Sequence, residues 1–140
     1  MYNFLLHAHS GLRYLVLLAA VIVIVKSVIG WLGNTPYSKF DRIIAPSFVG
    51  LMHLQLLLGL ILYFISPFVT YQMGDKVSRY WSVEHISMMI IAVIAAQVGR
   101  SISKKSSDAQ VKFRFQSIFF GISILLILVA LATMPGRSIL

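Results

Sequence analysis

Long apolar runs alternate along the chain with short polar and charged segments. The first run, residues 14–25 (YLVLLAAVIVIV), lies between Arg13 and Lys26. Alone it is too short to cross a bilayer, which takes about 20 residues. A span over 4–32 is complete if Arg13 and Lys26 snorkel toward opposite interfaces. Trp31 suits an interfacial belt, and Gly33-Asn34-Thr35-Pro36 supplies the breaker chemistry that ends a helix.

The second run is the clearest, because no Asp, Glu, Lys or Arg occurs between Arg42 and Asp75. It predicts a helix over 43–65, with Pro46 in the tolerant first turn and Ser66-Pro67 at its end. A third span is expected over 81–99, with a short charge-free core, 85–99, between Glu84 and Arg100. A fourth, 115–134, lies between Arg114 and Arg137 and is closed by Pro135-Gly136. The basic stretch 101–110 (SISKKSSDAQ) is expected to be a solvated turn.

Four spans with short connections predict an all-α fold, a four-helix transmembrane up-and-down bundle forming a single integral membrane domain over 1–140. Arg13 ahead of the first run has the outline of a signal peptide. However, Lys26 follows directly and no small-x-small cleavage pattern ends the run, so a retained first span is expected.

Composition supports this. The chain is 59% hydrophobic and 11% charged, against about 25% charged in soluble domains. The net charge of +8 would suggest nucleic acid on a soluble protein. Here the basic residues gather at span ends and no aromatic-rich basic motif appears, so orientation and anionic headgroups account for them. Lys26, Lys39, Arg42, Arg100, Lys104, Lys105, Lys112 and Arg114 fall on one side, and Arg13, Lys76, Arg79 and Arg137 on the other. That excess places both termini and the connection between spans 2 and 3 on the outer, periplasmic side. The absence of cysteine excludes disulfides, iron–sulfur clusters and thiolate haem ligation.

Three histidines stand on three different spans. Imidazole in a lipid-facing helix needs a partner, and it is the usual protein ligand for haem iron. His9 and His85 are level, each roughly 6–8 Å below the outer end of its span at 1.5 Å per residue. Spans 1 and 3 are diagonal in an up-and-down bundle, so the two rings face each other. That arrangement suits bis-histidine ligation of one haem b. Arg13, at i+4 from His9, shares its face and is a partner for a haem propionate.

His53 is expected near the midplane, about 15 Å from the inner end, with no histidine level with it near Ser123. It is held as a reserve ligand, or as a hydrogen-bonding group to a carbonyl, Gln55 or Ser123. His7 is read as interfacial. Gly50, Gly59, Ala92, Ala95, Ala96 and Gly99 let helices approach or leave room for a flat ring. Glu84 caps span 3 or accepts a proton during quinol oxidation.

The stretches HSGLRYLVLL (9–18), HLQLLLGLILYFISP (53–67) and VEHISMM (83–89) resemble small bacterial four-helix membrane b-type cytochromes, the cytochrome-b-like proteins. That resemblance implies a haem b protein of the bacterial inner membrane with His9, His53 and His85 as ligand candidates. It would carry single electrons, with quinone as a candidate exchange partner, either alone or as a subunit of a respiratory complex. Two alternatives remain open. One is an outer-face copper or zinc site built from His7, His9, Glu84 and His85. The other is a haem-free subunit with a structural or assembly role.

Overall fold

In a computed structural model, residues 1–135 are described. Gly136 and Arg137, which close the expected fourth span and belong to the sparsely charged side, lie outside the described residues. The chain forms four long helices: α1 (Tyr2–Gly33), α2 (Lys39–Ile65), α3 (Lys76–Lys105) and α4 (Ala109–Ala132). All four are long and apolar enough to cross a membrane. Neighbouring helices pack as α1 with α2, α2 with α3, α3 with α4 and α4 with α1, leaving α1 and α3 on a diagonal.

The helices outrun their apolar centres because caps lie in the polar segments. Ser38 caps α2, and its hydroxyl and the Asp41 carboxylate form a reciprocal capping box. The helix therefore starts at Lys39 rather than near residue 43. Pro46 then falls inside the helix, where it denies the Arg42 carbonyl its usual amide partner. Asp75 caps α3 by accepting from the Ser78 amide, and Asp108 caps α4 by accepting from the Gln110 amide. Most of the expected turn over 101–110 is helical, since α3 runs to Lys105 with two lysines beside its negative dipole end. Only residues 106–108 turn.

The expected breakers at the other ends act as such. Asn34 adopts the left-handed conformation (φ 53°) and its amide bonds the Gly30 carbonyl. Ser66, before Pro67, is extended.

The core is built from small and branched side chains. Ala20, Ala45, Ala92 and Ala96 are fully buried beside Val23, Phe48 and Phe120, and the last two rings meet at 5.0 Å. Ala92, Ala96 and Gly99 serve α3–α4 approach rather than a flat cofactor: a side chain on Gly99 would strike Phe119. Leu15, Leu18, Val21, Val25 and Ile29 stay exposed along α1, as befits a lipid-facing stripe.

Polar groups inside such a bundle must find partners within the protein. Near the connections between α1 and α2 and between α3 and α4 they do so through Gln116. Its amide nitrogen donates to the Tyr37 hydroxyl at 2.6 Å and to Ser103 Oγ at 3.1 Å, while its oxygen accepts from Ser27 Oγ at 3.0 Å. Tyr37 in turn donates to the Asp41 carbonyl at 3.2 Å. Lys26 does not snorkel outward as expected. It turns inward to pair with the buried Asp41 carboxylate at 3.0 Å, because an unpaired carboxylate there would be far more costly.

Gln116→Leu keeps the side-chain volume but strands Ser27, Tyr37 and Ser103. It should destabilise the bundle by about 1–2 kcal/mol, measured as loss of helicity on denaturation in mixed micelles. Unchanged stability would show that the network contributes nothing net.

Candidate functional site

At the opposite end from the Gln116 network, the bundle opens a cavity of about 340 Å³, within the usual range for small-molecule sites of about 300–1,000 Å³. His9 and Arg13 of α1, Gln55 and Gly59 of α2, and Trp81 and His85 of α3 contribute to its wall. The rest of the lining is largely aliphatic.

His85 is positioned by an irregularity in α3. Residues Tyr80–Glu84 form one π-helical turn, in which the His85 amide bonds the Tyr80 carbonyl. In a regular α-helix, with 3.6 residues per turn, a residue and the fifth after it lie on different faces. The wider turn brings His85 back over Tyr80, and the two rings sit 5.6 Å apart. Such turns occur often at functional sites. Trp81 packs 5.2 Å from the same imidazole.

Hydrogen bonding then determines the His85 tautomer. The Tyr80 hydroxyl lies 2.6 Å from the Ala130 carbonyl and 3.2 Å from His85 Nδ1. A phenol has one proton. The carbonyl can only accept, so that proton goes to Ala130 and the Nδ1–H of His85 donates to the Tyr80 oxygen. The His85 Nε2 therefore carries a free lone pair. An outer hydrogen bond of this kind is what orients and polarises a ligating imidazole.

His9 approaches from the diagonal helix. Its main-chain carbonyl accepts from Gln55 Nε2 at 2.7 Å. Its ring lies against Gly59, where a methyl group would meet ring carbon Cε1 at 3.1 Å. Glycine at this position therefore makes the space the ring occupies. The centres of the His9 and His85 rings are 6.4 Å apart and their planes are nearly perpendicular, at 83°.

A metal shared by two imidazoles imposes its own spacing on them. Two metal–imidazole bonds of about 2 Å, plus about 1 Å from each nitrogen to its ring centre, span roughly 6 Å. The rings stand at that distance. Among the described residues four buried polar side-chain atoms lack a partner, and three of them belong to the wall of this cavity: His9 Nδ1, Arg13 Nε and Gln55 Oε1. No group of three or more His, Cys, Asp or Glu gathers among the described residues. His7 is exposed, and Glu84 binds Arg79 at 3.0 Å. A two-imidazole donor set is incomplete for zinc, which takes three or four protein ligands. It fits a planar ligand that brings its own nitrogens and needs only axial partners.

His9, Arg13 and His85 thus converge, and His53 does not join them. Its ring points away from the cavity and bonds Gln97 Oε1 at 2.9 Å; Gln97 continues to Ser101. The partner is neither Gln55 nor Ser123. Gln55 faces His9, and Ser123 donates to the Ala92 carbonyl. Gly50 has open space around it and no part in the cavity. Glu84 does not cap a helix, because α3 begins earlier, at Lys76, and its partner is Arg79.

Two contributors, Gln55 and Tyr80, were not assigned to the site from the sequence, whereas Gly59, read as leaving room for a flat ring, does line the cavity. Gln55 and Gly59 stand at i and i+4 on α2, matching His9 and Arg13 on α1, and that shared spacing was the available signal for Gln55. Tyr80 had none, since its contact with His85 depends on the π turn.

No family model, no curated protein and no solved structure matches the chain. The fold and the cavity define a multi-pass four-helix membrane protein with paired histidines on its diagonal.

Tyr80→Phe tests the hydrogen-bond assignment. It should leave His85 Nδ1 unpartnered and the Ala130 carbonyl with only its longer 3.4 Å bond from Thr133 Oγ1, cost about 1–3 kcal/mol, and let both His85 tautomers appear. Nitrogen NMR of imidazole-labelled protein should show a single Nδ1–H form in the parent and a mixture in the variant. A single Nε2–H form in the parent would refute the assignment.

Proposed function

We propose that the protein is a membrane b-type cytochrome that carries single electrons with one haem b. His9 and His85 would be the axial ligands and Arg13 the partner of a propionate. The observation that carries this reading is the pair of imidazoles on diagonal helices, 6.4 Å apart, at the wall of a cavity with unpartnered polar atoms. The resemblance of residues 9–18, 53–67 and 83–89 to cytochrome-b-like proteins points the same way.

Bound haem supplies a one-electron couple whose potential depends on its axial ligands, its burial and nearby hydrogen bonds. The chain's own residues perform the remaining tasks. His85 presents a bare Nε2 because Tyr80 holds the opposite nitrogen. His9 is seated by Gly59 and by the Gln55 bond to its carbonyl. The largely aliphatic wall would lower the local dielectric, which strengthens charge interactions inside. The Arg13 guanidinium offers a fixed positive charge to a carboxylate.

The distribution of lysine and arginine supports a direction. Eight cations cluster at the end that carries the short connections, so that end would face the cytoplasm and the cavity the periplasm. A bacterial inner membrane would then set the carrier between a quinone in the bilayer and a partner at the outer surface, alone or within a respiratory assembly.

The decisive measurement is the visible spectrum of protein purified from haem-sufficient cells, oxidised and then reduced. A Soret band with sharp reduced-minus-oxidised bands is expected. A colourless, metal-loaded preparation would favour a haem-free copper or zinc site, and a colourless, metal-free one a structural subunit. His9→Ala and His85→Ala should each lower bound haem at least about tenfold, whereas His53→Ala should retain it. Loss of haem in His53→Ala with retention in His9→Ala would overturn the ligand pairing.

A further inference from the structure

A second cleft, of about 460 Å³, opens at the densely charged end and is lined by Tyr37, Arg42, Arg100, Lys104, Ser107 and Lys112. It lies between the first turns of α2 and α4 and the last turns of α3. Four of its six lining residues are cations and none is acidic.

Among the described residues no ion pair neutralises them. Among the described residues the ion pairs are Lys26–Asp41 and Arg79–Glu84. Neither involves a cation of the cleft. Of the two carboxylates at this end, Asp41 is taken by Lys26, and Asp108 caps α4. Two of the four cleft cations, Lys112 and Arg42, are nonetheless held in place by neutral partners. Lys112 Nζ donates to the Ser103 carbonyl at 2.9 Å and lies 5.2 Å from the centre of the Tyr37 ring. Arg42 donates to the Tyr37 carbonyl at 3.3 Å. Fixed like charges around one hollow repel each other until an anion enters. Held cations also lose less side-chain entropy on binding than free ones.

The remaining large side chain of the lining, Tyr37, is neutral. Burial pushes Tyr37 above the ordinary tyrosine range, against the Gln116 hydrogen bond that favours its charged form. The cleft therefore stays uniformly positive at neutral pH. Its height matters too: it sits where the helices end and where lipid headgroups would lie.

We propose that this cleft is a specific site for a phosphate group, held by Arg42, Arg100, Lys104 and Lys112. The phosphate belongs to an anionic phospholipid or to a soluble phosphate, and experiment separates the two sources. Arginine supplies forked donors matched to phosphate oxygens and lysine supplies point charge. This site is independent of the histidine cavity and does not rest on haem binding.

The test uses the full chain in phospholipid-free detergent, titrated with phosphatidylglycerol, phosphatidylcholine or inorganic phosphate. Retained lipid is read by native mass spectrometry and stability by the thermal midpoint. Arg100→Gln with Lys104→Gln removes two cleft charges. Lys39→Gln with Lys105→Gln removes two exposed charges at the same end but outside the cleft. The cleft pair should weaken phosphatidylglycerol binding about tenfold or more, and the control pair by about threefold at most. Phosphatidylglycerol retained against millimolar phosphate would identify the lipid as the source. Displacement by phosphate, or a midpoint raised by phosphate alone, would identify a soluble ligand. Equal losses in both pairs, no loss in the cleft pair, or no preference for phosphatidylglycerol together with no response to phosphate would overturn the site.

Discussion

A polar atom inside a lipid-embedded bundle must be satisfied by the protein itself or by something the protein holds. The two ends of this molecule meet that constraint differently. Around Gln116, hydroxyls, an amide and an ion pair close on one another across all four helices. Around His9 and His85, the imidazole of His9, the guanidinium of Arg13 and the amide of Gln55 each keep an unmatched atom. Buried polar groups without partners are rare. Their concentration at a cavity, beside an otherwise closed core, distinguishes a site from ordinary packing.

The π turn in α3 belongs to the same logic. A helix gives up regular hydrogen bonding there, which natural sequences retain mainly at functional positions. In exchange Tyr80 becomes fully buried and ties α3 to α4 through the Ala130 carbonyl. The Tyr80 hydroxyl oxygen in turn accepts from His85 Nδ1 and fixes that ring. One hydroxyl thereby couples helix packing to the orientation of a ligand candidate. At the same turn Arg79 and Glu84 pair with each other at 3.0 Å.

How much of this was legible in the chain depends on the range of the interactions concerned. Four helices could be read because each apolar run is a local property. Their ends could not, since Ser38, Asp75 and Asp108 cap from polar segments that hydropathy alone assigns to loops. The approach of His9 to His85 does not depend on those ends, since the rings lie 6.4 Å apart on diagonal helices. The face chosen by His53 was not legible, because it depends on how α2 rotates against α3 and finds Gln97. The Gln116 and Asp41 networks join residues far apart in the chain, and no periodicity announces them. Tyr80 was hidden by a departure from the 3.6-residue repeat on which the reading of helix faces relies.

Charge weighs between the kinds of ligand that two imidazoles could share. Arg13 lines the cavity with no carboxylate in ion-pair range among the described residues. Its guanidinium rests on the neighbouring Tyr14, to whose hydroxyl it donates at 3.1 Å. A bare divalent cation set between two neutral imidazoles would add positive charge beside an unneutralised arginine, in a medium where repulsion is strong. A neutral quinone would leave the arginine as it is. A cofactor carrying carboxylates would reverse the sign of the interaction and supply acceptors for donors the fold leaves idle. Under the proposed reading, the charge of the wall would suit an anionic, axially ligated cofactor better than a naked metal, by an argument separate from the spacing of the rings.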